Sequence, residues 1–299
     1  MVSGVLLLDK PQGLSSNAAL QRVRYATRAA KAGHVGSLDP LATGMLPICL
    51  GEATKIAGEL IGGRKRYRFE IALGVRTDTG DREGGVVERQ PVAALDPSRV
   101  GPVLERFRGR QSQVPPMYSA LKRGGTPLYR LARAGIEVER AAREIEIEAL
   151  ELLRASAESL ELEALCSKGT YVRVLGEDIA RALGTCGHIA SLRRLWVTPF
   201  EHEPMLTLEQ IEAAGDSGGM PELIAADRAL PMLEAVTVPQ SAALRLMHGQ
   251  AILSPQLRQP GRVRMYDERG CFLGLGESDG LGGVRPVRLF IGEPAARTS

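Results

Sequence analysis

Residues 32–55 have the sequence AGHVGSLDPLATGMLPICLGEATK, in which a single aspartate, Asp39, lies among glycines at positions 33, 36, 44 and 51. Pro40 follows Asp39, and an Asp-Pro pair is a good helix start because aspartate accepts from free N–H groups and proline fits the first helical position. Capping does not explain the glycines or His34 between Gly33 and Gly36. A loop shaped around a functional carboxylate is therefore an equally open interpretation.

The composition is that of a globular protein. The chain has 299 residues, enough for one large or two ordinary domains, with 44% hydrophobic and 24% charged residues. No apolar run approaches the roughly 20 residues that span a bilayer, and the start MVSGVLLLDKPQG lacks the features of a signal peptide. The cysteines at 49, 166, 186 and 271 form no Cys-x-x-Cys pair, so we expect reduced thiols and a cytoplasmic protein.

Positive charge is concentrated in three short segments, although the net charge is only +3. The segments are GRKRYRFE with Arg64, Lys65, Arg66 and Arg68, LKRGGTPLYRLARAG with Lys122, Arg123, Arg130 and Arg133, and LRRLW with Arg193 and Arg194. Such clusters are either a solvated face or a surface for phosphates. The aromatic residues beside them favour a phosphate-rich partner.

The hydrophobic patterns predict an α+β fold with a mixed, mostly antiparallel central sheet. In KRYRFEIALG, residues 65–74, every second side chain is apolar, which is typical of a half-buried strand. REIEIEALELL and ESLELEALC indicate a hairpin. Helical spacing occurs at Leu208–Ala214 and Met220–Ala229.

Two further segments divide the chain. Residues 115–142 are rich in proline, glycine and basic residues, and they predict a thumb-like insertion with a short helix near Leu128–Arg133. Beyond Val236 the sequence predicts short strands with glycine turns, as in a small β module. We therefore expect a catalytic domain at 1–235 and a β-rich domain at 236–299.

The sequence has no nucleotide-binding loop, no dinucleotide fingerprint and no Gly-x-Ser-x-Gly elbow. The histidines at 34, 188, 202 and 248 form no zinc-type pair, and Cys186 with His188 is too little for a metal site. We expect no cofactor and no metal. Side chains can then supply the chemistry, since a carboxylate can react at a glycosidic carbon and an arginine can hold it ionised.

Six segments together resemble the bacterial TruB family, tRNA pseudouridine synthases that act on uridine 55 of the T loop. GHVGSLDPLATGMLPICLGEATK resembles the catalytic motif of that family and LLLDKPQGLSS its N-terminal motif. The other segments are KRYRFEIALGVRTDTGD, QVPPMYSALKRGGTPLYRLARAGIEV, and LCSKGTYVRVLGEDI with LRRL. Their order from residue 5 to about 200 matches the family, and the C-terminal segment is similar to its PUA-like RNA-binding domain.

The resemblance implies a role for individual residues and a pseudouridine synthase fold. Asp39 matches the catalytic aspartate, Tyr67 the active-site tyrosine, and Arg173 the arginine that pairs with the aspartate. His34 matches a histidine that enters the T loop, Asp81 an acidic residue near the arginine, and Leu192 a pocket leucine. Lys122, Arg123, Arg130 and Arg133 are the expected phosphate contacts of the insertion, which grips the T loop.

The implied partner is the T-arm of tRNA, and we expect a monomer with no protein partner and no membrane association. Two other classes of function stay open on the residues alone. One is an RNA-binding or tRNA-folding module without chemistry. The other is a carboxylate glycosidase, although that chemistry usually needs two carboxylates and the sequence shows no second one beside Asp39.

Overall fold

A computed structural model describes residues 2–92 and 97–290, whose strands form two main sheets. The strands are β1 (Gly4–Lys10), β2 (Ala32–His34), β3 (Thr43–Leu50), β4 (Lys65–Leu73), β5 (Val75–Thr77), β6 (Val86–Arg89), β7 (Gly109–Gln113), β8 (Lys122–Arg123), β9 (Thr126–Pro127), β10 (Arg143–Ala155), β11 (Ser159–Cys166), β12 (Gly187–Val197), β13 (Leu206–Thr207), β14 (Glu234–Val238), β15 (Ile252–Leu253), β16 (Pro260–Asp267), β17 (Phe272–Asp279) and β18 (Gly283–Leu289).

The helices flank these sheets or lie in the insertion. They are α1 (Ser16–Ala26), α2 (Ala57–Leu60), α3 (Pro97–Glu105), α4 (Leu128–Arg133), α5 (Val172–Ala182), α6 (Leu208–Asp216) and α7 (Gln240–Met247), with a 3₁₀ helix at Gly51–Ile56. Within residues 2–92 and 97–290, no helix combines the length and the apolar character that a membrane crossing needs.

The large sheet has the order β13-β1-β3-β12-β4-β11-β10-β7, and β2 pairs with β3. Only the β1–β13 and β3–β12 pairs are parallel, so the sheet is mixed and mostly antiparallel, as predicted. The predicted strand 65–73 is β4, which lies between β11 and β12. Its Phe69 and Ile71 are 1% and 0% exposed because they face the apolar core.

Both faces of the sheet are covered. One face packs against α1, α5 and α6 through residues such as Val23, Leu175 and Ile211. The other face packs against the 3₁₀ helix, α2 and the segment around Leu230. Side chains that project from the ends of β4 and β12 are therefore held by a packed core.

The insertion leaves the sheet after β7 and returns at β10. It contains the two-residue strands β8 and β9 and the helix α4, which spans Leu128–Arg133 as the sequence predicts. The side chain of Gln113, at the end of β7, bonds both backbone groups of Tyr171, with Tyr171 N donating at 2.8 Å and Gln113 Nε2 donating to Tyr171 O at 3.1 Å. The root of the insertion is thereby fixed to the start of α5.

The C-terminal strands form a five-stranded sheet of order β14-β16-β17-β18-β15. This module packs on the large sheet, since Leu275 shares an apolar cluster with Val5 and Leu7. Lys55 Nζ also donates to Leu289 O at 2.6 Å. The predicted α+β class, with a β-rich C-terminal module, is confirmed.

One of the two open interpretations is excluded, and one local prediction is wrong. Asp39 and Pro40 begin no helix: residues 37–42 are irregular, and the chain enters β3 at Thr43. Met220–Ala229 is not helical either, because Ile224 pairs with Val5 through backbone hydrogen bonds of 2.7 and 2.9 Å. The edge of β1 thus overrides the local helical pattern.

Candidate active site

Asp39 lies in the loop that joins β2 to β3, and the N-terminal segment holds this loop in place. Ser16 Oγ accepts from Leu38 N at 2.7 Å and donates to Leu38 O at 2.8 Å. On the other side of Asp39, Gly13 N donates to Pro40 O at 2.8 Å. The backbone on both sides of Asp39 is therefore anchored to residues 13–16.

Lys10 is a second anchor of the loop. Its side chain is 0% exposed, and Nζ donates to Pro11 O at 2.8 Å, Leu14 O at 2.7 Å and Pro40 O at 3.4 Å. Burial lowers the pKa of Lys10 to about 8, and the negative charge of Asp39 opposes that shift. The amine thus places a partial positive charge beneath Asp39.

Arg173 joins three parts of the chain at Asp39. It is the second residue of α5 and is 5% exposed. Its Nε lies 2.9 Å from Asp39 Oδ2, while its two terminal nitrogens each donate over 2.7 Å, to Thr79 O and Tyr118 O. The guanidinium therefore fixes the carboxylate relative to the root of the insertion.

Asp81 is a second carboxylate at this guanidinium. Its Oδ2 lies 3.9 Å from Arg173 Nη1, and its Oδ1 accepts from Thr79 Oγ1 at 2.7 Å and Glu83 N at 3.1 Å. Asp81 is 5% exposed, and its carboxylate accepts these hydrogen bonds. It therefore holds Arg173 rather than facing solvent. The family resemblance implied an acidic residue near the arginine, and the structure brings Asp81 to Arg173, so the two carboxylates share one arginine.

The pKa of Asp39 lies above its ordinary value. Burial raises it, the positive charge of Arg173 opposes the rise, Asp81 adds to it and Lys10 opposes it. The Asp39 side chain is still 40% exposed, so the carboxylate opens to the surface while its backbone is held below. The site can present a carboxylate to a large substrate.

The pH dependence of a reaction that needs this carboxylate should follow these charges. Because the pKa is raised, the rate should fall as the pH drops through a value above 3.8. In Asp81→Asn a negative neighbour is removed, so the acid limb of the single-turnover pH–rate profile should move to lower pH. Asp9→Asn, which removes a carboxylate bound to Arg193 at 2.8 Å, is the matched control and should leave the limb in place. A limb unmoved by Asp81→Asn would show that Asp39 does not set it.

Tyr67 and Leu192 lie on the neighbouring strands β4 and β12. Tyr67 is 8% exposed and Leu192 is 9% exposed, and both belong to the main apolar cluster. Burial raises the pKa of Tyr67, and the positive charge of Arg194 opposes that shift. The hydroxyl is therefore a neutral group at the buried side of the site.

His34 ends β2, immediately before the Asp39 loop. Its Nδ1 is buried without a hydrogen-bond partner among the described residues. Burial lowers the pKa of His34, and the positive charge of Arg194 lowers it further. His34 is thus a neutral imidazole with an unsatisfied ring nitrogen.

Comparison with known proteins connects this arrangement to one family. Residues 24–172 match the TruB family pseudouridylate synthase N-terminal domain. Residues 173–237 match the tRNA pseudouridylate synthase B C-terminal domain, and residues 235–290 match pseudouridine synthase II TruB, C-terminal. The tRNA pseudouridine synthase B of Ectopseudomonas mendocina is 47% identical over 296 residues, which cover 97% of this chain and 95% of that protein. The chain belongs to the TruB family.

Other comparisons agree with the TruB assignment. The tRNA pseudouridine synthase B of Chromohalobacter salexigens is 49% identical over 291 residues, covering 97% of this chain and 94% of that protein. Among solved structures, an H/ACA RNP bound to a substrate RNA containing 2′-deoxyuridine has a TM-score of 0.72 at 21% identity, covering 97% and 85% of the two chains. A Cbf5-Nop10-Gar1 complex has a TM-score of 0.70 at 23% identity, covering 97% and 84%. The fold is that of pseudouridine synthases, and this TruB chain is an enzyme of that class.

Two of the three basic segments of this TruB chain are not free surfaces for phosphate. Arg66 and Arg68 both bind Glu163 over 2.7 and 2.6 Å, and Lys65 is buried. Arg193 binds Asp9, and Arg194 is 1% exposed. The cations of these two segments are therefore paired with carboxylates or buried, and their role as phosphate contacts stays a prediction.

The third basic segment, which lies in the insertion, differs from the other two in that its cations are not paired with carboxylates of the described residues. Lys122, Arg123, Arg130 and Arg133 are all exposed, and none of the four forms a salt bridge within residues 2–92 and 97–290. Arg123 donates to Glu139 O at 2.8 Å, and the Arg133 guanidinium lies 5.8 Å from the centre of the Tyr129 ring. Their charges are not neutralised by neighbouring carboxylates.

Two residues of this TruB site, Lys10 and Arg194, were not predicted from the sequence. Both are buried cations that bond to the backbone of the Asp39 loop. The sequence could have indicated Lys10, because this residue lies in the segment LLLDKPQGLSS that resembles the N-terminal motif of the family. Arg194 was indistinguishable from the other basic residues of its segment, since its burial depends on strands far apart in the chain.

Two of the four cysteines, Cys49 and Cys166, are poor candidates for nucleophilic catalysis. Burial raises the pKa of Cys49 and of Cys166 to about 12. A thiol with such a pKa is a poor source of thiolate near neutral pH. These two thiols therefore offer no alternative to the Asp39 carboxylate as a candidate nucleophile.

Proposed function

We propose that the protein isomerises uridine 55 in the T loop of tRNA to pseudouridine, with Asp39 as the reacting carboxylate. The observation that carries this proposal is the pairing of Asp39 with Arg173 at 2.9 Å in a loop anchored from both sides. An open but rigidly held carboxylate suits attack on an extruded nucleotide.

The choice of substrate rests on two supports. The curated relatives at 47–49% identity are named tRNA pseudouridine synthase B, which favours tRNA. Position 55 rests on the resemblance of the six sequence segments to the family that acts there. Action as a monomer in the cytoplasm stays a prediction.

The reaction needs only rearrangement of atoms that the substrate already contains. The uracil leaves ribose C1′ at its N1, turns, and rejoins C1′ through C5; N1 takes up a proton and C5 loses one. The uridine must first leave the folded loop, at an unstacking cost on the order of a few kcal/mol. Asp39 reacts with the extruded nucleotide, and Arg173 keeps the carboxylate ionised and oriented.

Tyr67 handles the proton that leaves C5. Its pKa is raised, so it enters the reaction as a neutral hydroxyl. A neutral hydroxyl accepts a proton only as it passes its own proton on, so Tyr67 acts as a relay to water or to the substrate. Its ring also supplies a flat surface on which uracil can stack.

His34 occupies the space that the uridine vacates. Its neutral imidazole has a buried Nδ1 without a partner among the described residues, which can bond to an RNA group once the T loop is bound. Leu192 lines the apolar side of the pocket on β12.

The insertion binds phosphates of the T-arm through its four exposed cations. Phosphate binding releases counterions, so removal of a cation that binds phosphate flattens the salt dependence of binding. In the double variant Arg130→Gln/Arg133→Gln, the slope of log K against log salt should fall by about 0.7–0.9 for each phosphate-binding cation removed. Filter binding of a T-arm hairpin at several salt concentrations measures the slope.

A matched control separates direct phosphate binding from net charge. Arg22 binds Glu212 over 2.7 Å and Arg181 binds Asp178 over 2.9 Å, both on the surface. The double variant Arg22→Gln/Arg181→Gln removes the same two charges and should keep the wild-type slope. Equal slopes in both double variants would show that the insertion is only a solvated face.

We also propose the division into a catalytic domain at 1–235 and a PUA-like RNA-binding domain at 236–299. All the side chains of the site described above come before residue 200, and the five-stranded sheet begins with β14 at Glu234. Residue 1 and residues 93–96 and 291–299 of these proposed domains lie outside the described residues.

A tritium assay tests the activity directly. A tRNA transcript with tritium at C5 of its uridines should release one equivalent of tritium, without a change in the mass of unlabelled RNA. A transcript with cytidine at position 55 should release none. Free uracil and an abasic site would instead indicate a glycosidase, and binding without release would indicate a non-catalytic RNA-binding module.

A further inference from the structure

Arg194 is, with Lys10, one of two buried cations that bond to the Asp39 loop and that the proposed reaction does not use. It is 1% exposed and lies on β12 between β3 and β4. Its guanidinium bonds two carbonyl groups: Nε donates to Met45 O at 2.7 Å and Nη2 donates to Gly36 O at 2.9 Å. Within the described residues no carboxylate forms a salt bridge with it.

The two carbonyl groups lie on opposite sides of Asp39 in the sequence. Gly36 follows β2 and Met45 lies near the start of β3, so one side chain joins both ends of the Asp39 loop. A planar guanidinium donates from several nitrogens in fixed directions, which suits two acceptors that lie apart. A buried cation without a carboxylate is costly, which argues that this geometry serves a purpose.

The glycines of the loop fit around Arg194. Gly44 has φ +96°, and a Cβ there would lie 2.1 Å from the carbonyl oxygen of Arg194. Gly36 has φ +72°, and a Cβ there would lie 3.3 Å from Arg194 Nη1. Gly36 therefore leaves room for the guanidinium, while Gly44 lets β3 approach the backbone of β12 at residue 194.

Arg194 also lies beside Tyr67, because its strand β12 pairs with β4. In the sheet register Arg194 is opposite Tyr67 on β4 and opposite Gly44 on β3. The same residue is thus the cross-strand neighbour of both parts of the site, the loop that carries Asp39 and the strand that carries Tyr67.

We propose that Arg194 is a positioning residue that sets the Asp39 loop relative to Tyr67, an inference that rests on the proposed roles of those two residues. Arg194 does not touch the RNA, because it is buried beneath the loop. Its removal changes the rate of the chemical step and not the affinity for RNA.

Arg194→Lys is the decisive variant. Lysine keeps the positive charge, but its single ammonium nitrogen cannot span both carbonyl groups, so the loop shifts. Because misplacement by about 1 Å costs roughly a hundredfold in rate, the single-turnover rate at saturating T-arm RNA should fall about 10- to 100-fold. The dissociation constant should stay within about threefold of wild type. Arg194→Met, which also removes the charge, should reduce the rate at least as far.

Arg193→Met is the matched control. Arg193 is the adjacent residue on β12, its side chain is 39% exposed, and it pairs with Asp9. Removal of this arginine should leave the single-turnover rate within about twofold of wild type. Circular dichroism and thermal melting establish that each variant is folded.

The outcomes separate the alternatives. A folded Arg194→Lys with a wild-type rate would overturn the inference, whether or not its RNA binding is weakened. Failure of both Arg194 variants to fold would also overturn it, in favour of a purely structural role. Absence of pseudouridine with the wild-type protein would instead refute the proposed function, whereas an active wild type beside an equally active Arg194→Lys refutes only the positioning role.

Discussion

Asp39→Asn is expected to abolish pseudouridine formation while T-arm RNA still binds. The amide oxygen of asparagine can accept from Arg173 Nε, which lies 2.9 Å from the carboxylate in the wild type, so the loop should keep its position. The amide cannot replace an ionised carboxylate as the reacting group. Single-turnover tritium release should therefore fall below detection, with a dissociation constant close to that of the wild type.

The irregular backbone at Asp39 sharpens this prediction. Asp39 caps no helix, and its pKa is raised in the folded protein, so the negative charge does not stabilise the fold. Replacement of the carboxylate by a neutral amide should therefore not lower the melting temperature. Inactivity of Asp39→Asn cannot then be ascribed to unfolding.

Asp9→Asn is the matched control for this variant. Asp9 also pairs with an arginine, Arg193 on β12, and its substitution should leave the activity near wild type. Measurable pseudouridine formation by purified Asp39→Asn, with reversion to aspartate excluded by mass spectrometry, would contradict the role of the carboxylate.

Tyr67→Phe is expected to reduce turnover sharply while RNA binding persists. The substitution keeps the ring that packs in the core and removes only the hydroxyl, so stacking on uracil survives. If the hydroxyl relays the C5 proton, the single-turnover rate should fall by about 10²–10⁴, as it does when other acid–base groups are removed. Tritium release and the cleavage of the original glycosidic bond should be measured separately, since the relay acts after cleavage.

Tyr25→Phe removes the same hydroxyl from a residue that is 87% exposed, and it should have no effect. Near-wild-type turnover in Tyr67→Phe would restrict Tyr67 to packing or stacking. Slower cleavage, rather than slower release of tritium, would place the hydroxyl earlier in the reaction.

The sequence was sufficient to locate the elements that carry the site. Alternation in residues 65–73 places Tyr67 on the buried face of β4, and the structure agrees. The short helix at Leu128–Arg133 was also predicted correctly. These features depend on local periodicity, which a single segment expresses without reference to the rest of the chain.

The purpose of the glycines required the tertiary structure. We expected them to fold the backbone around a functional carboxylate, but Gly36 and Gly44 also make room for Arg194. That arginine is about 150 residues further along the chain, since its bond to Met45 spans 149 positions. No pattern within residues 32–55 could indicate this neighbour.

The basic segments show the same division. KRYR and the insertion look alike in sequence, yet Arg68 binds Glu163 from a position 95 residues away, whereas Arg130 and Arg133 form no salt bridge among the described residues. The sequence by itself determined the strands, the insertion and the family motifs, because these rest on local spacing. The tertiary structure decided which charges are neutralised and which face the surface, because the energy of a charge depends on neighbours that only the folded sheet brings together.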